Sequence, residues 1–83
     1  MAVANSLPIH FSKLKKGMRI RIVRTCDDCS DSVRLQEMGL VEGTEFTVVK
    51  VAPLGDPVEI SLRGYRLCLR KSETKCFELE TVE

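Results

Sequence analysis

Apolar and polar residues alternate along several short stretches of this chain, and the alternation predicts β-strands with one buried face. From Gly17 to Val23, Met18, Ile20 and Ile22 alternate with two arginines. The stretch from Thr44 to Val51 is rich in β-branched residues, which favours a second strand. The last stretch, from Phe77 to Val82, is predicted to form a closing strand.

The region from Val58 to Arg70 is predicted to be a β-hairpin. Alternate apolar residues occupy its first arm up to Leu62 and its second arm from Tyr65 onward. A two-residue hairpin loop with glycine first is typical of a type II′ turn. We therefore expect Gly64 and Tyr65 at the centre of the turn.

One helix of about two turns is predicted between the first strand and the second. Ser30 or Asp31 is a suitable N-cap, and Gly39 stands where a left-handed residue ends a helix. With Gly39 in that position, Leu35 and Leu40 are the apolar pair that touches in a Schellman ending.

Two shorter turns are also expected. The sequence around Ser12 is predicted to form one helical turn that Ser12 caps and Gly17 ends. A second turn or short helix is expected after Arg70, with Ser72 as its cap.

The predicted fold class is mostly β, with about five strands and one short helix. Such a short helix is marginal alone, so we expect Leu35 and Met38 to face inward and hold it on the strands. Five short strands in a chain of 83 residues suggest a small closed barrel, which would leave no open sheet edge. We expect residues 1–83 to form a single domain, with residues 1–6 disordered.

Composition and charge exclude several classes of function. Lys and Arg total 13 and Asp and Glu total 12, for a net charge of +1, so no strong positive field attracts nucleic acid. No apolar stretch is long enough to span a bilayer, and the first residues lack the pattern of a secretory signal. We expect a cytoplasmic protein without direct membrane insertion.

The motif Cys26-Asp27-Asp28-Cys29 has the spacing of redox centres and metal sites. A redox function is disfavoured, because Cys26 follows a strand rather than opening a helix and the two aspartates oppose a thiolate.

A metal site is a stronger interpretation of the same motif. Cys26 and Cys29 could chelate Fe(II) or Zn(II), but a structural site needs more ligands than these two. Cys76 could be brought near by folding, or a second molecule could complete the site in a weak, metal-bridged homodimer. The remaining alternative is a surface loop that binds no metal, and no cofactor is then required.

The sequence does not predict an enzyme. A nucleophilic cysteine would need a base, and the sole histidine, His10, lies near the start of the chain. No glycine-rich phosphate-binding loop is present.

An ordered set of motifs gives a more specific indication. The segment from Arg34 to Arg70 contains RLQEMGLVEG, then APLGDP, then GYRLCLR. In this pattern, and in the opening FSKLKKGMRIRIV, the chain resembles the FeoA family from about Leu7 onward.

The resemblance implies an SH3-like β-barrel and a role as a cytoplasmic accessory protein of ferrous iron transport. It implies a partner as well: the transporter FeoB, whose cytosolic part carries a GTPase domain. The same domain type occurs at the C-terminus of metal-dependent repressors of the DtxR kind. This sequence shows no DNA-binding helix pair before the domain, so a repressor is disfavoured. Family members usually lack the Cys26–Cys29 motif, Cys68 and Cys76, so these cysteines inherit no family role.

The APLGDP segment is the candidate partner-binding loop, together with Arg34. Pro53 and Pro57 remove backbone donors at its two ends, and Gly55 permits a positive φ. Asp56 can accept backbone donors within the turn. Leu54 would then be an exposed apolar anchor on a rigid loop, or it would fold back on the barrel.

Three functions follow from the sequence as hypotheses. The first is an adaptor that binds and modulates the cytosolic part of FeoB. The second is a metal-responsive module that uses Cys26 and Cys29. The third is an activator of GTP hydrolysis, in which Arg34 or another arginine would reach the nucleotide.

Overall fold

Six antiparallel strands form one sheet in the computed structural model, which describes residues 7–25, 30–75 and 77–82. The strands are β1 Pro8–Ile9, β2 Arg19–Arg24, β3 Glu45–Val51, β4 Val58–Leu62, β5 Tyr65–Leu69 and β6 Glu78–Thr81. One helix, α1, spans Ser30–Glu37, and two 3-10 helices span Phe11–Lys13 and Lys71–Glu73. The mostly β fold with one short helix is confirmed. The strand that the sequence did not predict is β1, because two residues are too few for an alternating pattern.

The strands are ordered β1-β6-β2-β3-β4-β5, so β1 and β5 are the edges. Within the described residues the sheet therefore stays open, where a closed barrel was predicted. The pairing register shifts between Ile22 and Arg24 and again between Val48 and Lys50. Bulges of this kind bend strands, which lets an open sheet curve around one core.

The core lies on the inner face of this curved sheet, as the alternation predicts. Its members are all apolar and at most 6% exposed. They are Phe11, Leu14, Ile20, Ile22, Leu35, Leu40, Phe46, Val48, Val58, Ile60, Leu62, Leu69 and Leu79.

Helix α1 ends in the predicted Schellman motif. The Leu40 N–H donates to the Leu35 carbonyl at 3.1 Å, the Gly39 N–H donates to the Gln36 carbonyl at 3.0 Å, and Gly39 has a φ of +107°. The inward position of Met38 was wrong: Leu35 is 1% exposed, but Met38, beyond the last helical residue, is 39% exposed.

The predicted helix caps and the hairpin turn need correction. Ser30 and Asp31 lie within α1, so neither precedes it as a cap. Ser12 and Ser72 lie inside the 3-10 helices whose caps are His10 and Arg70.

The hairpin turn is centred one residue earlier than predicted. Leu62 pairs with Tyr65, and Arg63 and Gly64 between them have φ angles of 50° and 92°. Two positive φ angles define a type I′ turn, so the type II′ prediction was wrong.

No helix of the described residues is long and apolar enough to cross a membrane.

Candidate functional site

The loop between β3 and β4 holds the predicted partner-binding residues in a hydrogen-bonded turn. The Gly55 N–H donates to the Ala52 carbonyl at 2.8 Å, and the Ala52 N–H donates to the Pro57 carbonyl at 3.1 Å. Gly55 has a φ of +86°, a conformation that L side chains rarely adopt. Local backbone bonds and one glycine thus fix the path of the loop.

Leu54 lies at the tip of this loop and is 95% exposed. It therefore does not fold back on the sheet, which was the alternative open at the level of sequence. Among the exposed large apolar side chains of the described residues, none is more exposed. The apolar surface of Leu54 is therefore left in water, where its burial would be favourable.

Asp56 connects the loop to a distant part of the chain. Its Oδ1 accepts a hydrogen bond from the Lys71 N–H at 3.0 Å. The sequence suggested a partner within the turn, but this partner lies outside it. Lys71 is the first residue of the 3-10 helix Lys71–Glu73. The base of the loop is thereby attached to a second element.

Arg34 contacts the same 3-10 helix from α1. Its guanidinium lies 3.4 Å from Oε2 of Glu73, and the two side chains are 65% and 11% exposed. Oε1 of Glu73 accepts the Arg70 N–H at 3.1 Å. Glu73 therefore caps its own 3-10 helix and also holds Arg34.

The predicted partner-binding residues thus converge on one short element. The loop binds it at Lys71, and Arg34 binds it at Glu73, two residues further along. We call Arg34, residues 53–57 and the 3-10 helix Lys71–Glu73 the loop–helix surface. Lys71 and Glu73 were not predicted from the sequence. Glu73 lies three residues after Arg70, which is the spacing of a capping residue and could have indicated its role.

A small polar depression of about 420 Å³ adjoins this surface. It is lined by Arg34, Cys68, Arg70, Ser72 and Glu73. Cys68 is exposed and forms no disulfide, as expected from its position on the polar face of β5. Arginines, two of which line this depression, are common in protein-recognition sites.

The candidate metal ligands Cys26, Cys29 and Cys76 lie outside the described residues. Residues 7–25, 30–75 and 77–82 contain no cluster of three or more His, Cys, Asp or Glu side chains that could hold a metal ion. The metal hypothesis therefore rests on residues outside the described part of the chain, or on a second molecule, and stays a prediction.

Comparison with known proteins identifies the family. The family model described as "FeoA domain" matches residues 9–80. A curated Fe(2+) transport protein A/Fe(2+) transporter FeoB fusion protein from Porphyromonas gingivalis is 35% identical over 74 residues, which are 89% of this chain. The chain spans only 9% of the length of that relative.

Solved structures agree with the match. A FeoA-like protein from Clostridium acetobutylicum is 32% identical with a TM-score of 0.78, over 92% of this chain and 88% of the other. FeoA from Stenotrophomonas maltophilia, described as a procaryotic SH3 domain protein complexed with zinc, is 27% identical with a TM-score of 0.67. That alignment covers 83% of this chain and 86% of the other.

The SH3-like fold expected from the motifs is thus confirmed. With the motifs, the sheet and a family match over most of its length in agreement, this chain belongs to the FeoA family of ferrous iron transport.

Proposed function

We propose that this chain is an accessory protein of ferrous iron uptake that binds and modulates the cytosolic, GTPase-bearing part of a FeoB-type transporter. It acts in the cytoplasm by contact with that partner and catalyses no reaction of its own. The binding residues lie in the loop–helix surface; they are Arg34, Pro53, Leu54, Gly55, Asp56 and Pro57.

The observation that carries the proposal is the 95% exposure of Leu54 on a loop fixed by its own backbone bonds and by Asp56. A preorganised loop loses little conformational entropy when it docks. Burial of the Leu54 side chain in a partner therefore stabilises the complex without the cost of first ordering the loop backbone.

The relative from Porphyromonas gingivalis supports the choice of partner. Its name joins an Fe(2+) transport protein A to an FeoB transporter in one polypeptide. Covalent linkage raises the effective concentration of two modules that bind each other weakly. A separate FeoA chain would achieve the same contact by binding.

A substitution at Leu54 tests the proposal. We expect Leu54→Ser to weaken binding to the cytosolic region of the cognate FeoB by about tenfold or more, as for a central apolar anchor. Leu7→Ser is the matched control, since Leu7 is also exposed, at 63%, but lies outside the loop–helix surface. Calorimetric titration of both variants measures the difference, and equal affinities would refute the assigned surface.

A second candidate function is a metal-responsive module, and the zinc complex of the Stenotrophomonas maltophilia protein favours it. Cys26 and Cys29, with Cys76 or a second molecule, would bind Fe(II) or Zn(II). Double substitution Cys26→Ser with Cys29→Ser should then abolish metal binding, measured by anaerobic titration and elemental analysis. Unchanged metal content would exclude this function.

Arg34 permits a test of the third hypothesis, activation of GTP hydrolysis. An arginine finger accelerates hydrolysis by about 10³–10⁵-fold. The proposed function needs contact with the cytosolic region but no arginine at the nucleotide, so we expect the chain to change the GTPase rate of that region by far less. An increase of that size, lost in Arg34→Ala, would show activation instead.

A further inference from the structure

A groove of about 750 Å³, larger than the polar depression, lies beside the loop–helix surface. None of the binding residues proposed above lines it. It is bounded by β1, the first 3-10 helix and β6. Its apolar lining includes Ile9, Phe11, Val23, Phe77 and Leu79. A groove of this size and lining can enclose several apolar side chains of a ligand.

Val23 gives the groove a partly exposed apolar residue at an irregularity of β2. It lies between Ile22 and Arg24, where the register of β2 against β6 shifts. Bulges often re-aim a side chain next to a functional site. Val23 remains 44% exposed, so part of its apolar surface is available for burial by a ligand.

The groove is lined by two lysines and two glutamates, which differ in their ion pairing. Its two carboxylates are paired with arginines of β2: Glu80 with Arg21 at 2.6 Å and Glu78 with Arg24 at 3.9 Å. The two exposed lysines of the groove, Lys71 and Lys75, form no ion pair within the described part of the chain. His10 adds a polar side chain that hydrogen-bonds to Ser12. The charges left to meet a ligand on this rim are therefore positive.

Lys71 joins the groove to the loop–helix surface. Its backbone N–H binds Asp56, and the residue lines the groove. A protein that contacts Leu54 and the 3-10 helix would thus lie next to the groove. Continuity with the protein-binding surface proposed above favours a protein segment over a free small molecule.

We propose that the groove binds an acidic amphipathic segment of the same transporter's cytosolic part. The apolar side chains of the segment enter between Val23 and Phe77, and its carboxylates meet Lys71 and Lys75. This inference rests on the proposed function and adds to it a second contact, with the chemistry of the partner segment that fits there.

Two substitutions with matched controls test the groove. Val23→Asp places a carboxylate among the apolar residues, and its control is Val41→Asp, because Val41 is 41% exposed and lies outside the groove. Lys75→Glu reverses the charge of an exposed rim residue, and its control is Lys50→Glu on β3. The Lys75 variant keeps the test valid if Val23→Asp fails to fold.

The probe is the whole cytosolic region of the cognate FeoB, titrated into each variant, followed by synthetic peptides that tile the region. We expect both groove variants to bind about tenfold more weakly than their controls. We also expect an acidic, apolar peptide to shift the amide NMR signals of Val23, Lys75 and Phe77, with an affinity that falls as salt is added.

Three other results would contradict the proposed groove contact. If the wild-type chain binds the cytosolic region and the groove variants bind as their controls do, the groove is not a contact, although the proposed function stands. If the wild-type chain does not bind at all, both proposals fail. If the same signals shift on concentrating the chain alone, and no peptide shifts them, the occupant is a second copy and the inference is wrong.

Discussion

Gly39 ends helix α1 with a φ of +107°, and it does so against the side chain of another element. A Cβ at this position would lie 3.3 Å from the Tyr65 hydroxyl oxygen and 3.6 Å from a Leu62 methyl carbon. The Tyr65 hydroxyl donates to the Met38 carbonyl. One glycine therefore allows both the end of the helix and its contact with the β4–β5 hairpin.

We expect Gly39→Ala to lower the free energy of unfolding by about 2 kcal/mol, because the left-handed conformation costs an L-residue about 1–2 kcal/mol and the Tyr65 hydroxyl must also move. Gly43→Ala separates the two effects: Gly43 has a φ of +86° with no atom within 4 Å of the added Cβ. Its loss should be about 1 kcal/mol. Urea unfolding of both variants measures the difference. Equal losses of unfolding free energy would show that the close approach of the added Cβ to the Tyr65 hydroxyl costs nothing.

Glu73 is only 8% exposed, and it accepts the Arg70 N–H while pairing with Arg34. We expect Glu73→Ala to lower the free energy of unfolding by about 1–3 kcal/mol, since a backbone donor loses its acceptor. Glu73→Gln keeps an oxygen acceptor and should cost less.

Arg34→Ala is the control for the ion pair. The arginine end of this pair is 65% exposed and solvent screens it, so the pair contributes about 0–1 kcal/mol and this variant should be the least affected in thermal or urea unfolding. A loss as large as that of Glu73→Ala would mean that the charge pair, and not the backbone bond, stabilises the 3-10 helix.

Residues that act within their own neighbourhood could be assigned from the sequence, and residues with distant partners could not. Gly39 was placed correctly because a Schellman ending depends on a few consecutive residues. Asp56 was assigned to its own turn, because its bond to Lys71 spans 15 positions and leaves no local pattern. The exposure of Leu54 likewise depends on the folded path of its loop.

At the scale of elements, the β4–β5 hairpin shows a local preference that the fold overrides. Its type I′ turn places Arg63 at a φ of 50°, a conformation that favours Asn, Asp or Gly. Pairing of Leu62 with Tyr65 fixes the turn at Arg63 and Gly64. The type II′ prediction placed glycine first in the turn, so the predicted centre of the turn lay one residue too late.

We expect Arg63→Asn to raise the free energy of unfolding by about 0.5 kcal/mol, because Asn-Gly is a preferred type I′ pair. Arg63→Ala removes the same long side chain without that preference and should give no gain. Comparison of the two variants by urea unfolding checks this. A gain in both would point to the loss of the arginine side chain as the cause.

Alternation located five strands because each has one face in the core, as Ile20 and Ile22 have in β2. It could not find β1, whose two residues are set by pairing with β6. The inward position expected of Met38 failed for a related reason: α1 ends at Glu37, so the helical period no longer applies to the next residue.

At the scale of the whole molecule, two features are candidates for partner contact: an exposed leucine on a fixed loop, and an apolar groove whose lining includes two lysines. The loop could be proposed from the sequence, since its prolines and glycine lie together. The groove could not, because strands and turns far apart in the chain form it. Closure of the sheet could not be judged either, since it depends on the irregularities in β2 and β3 that bend those strands.

The central claim is that this chain binds the cytosolic part of a FeoB-type transporter through the loop–helix surface without needing metal. The most direct test is anaerobic calorimetric titration of the full chain with the cytosolic region of its cognate FeoB, with and without Fe(II). We predict binding of equal affinity in both conditions. Binding that appears only with Fe(II), or no binding in either condition, would contradict the claim.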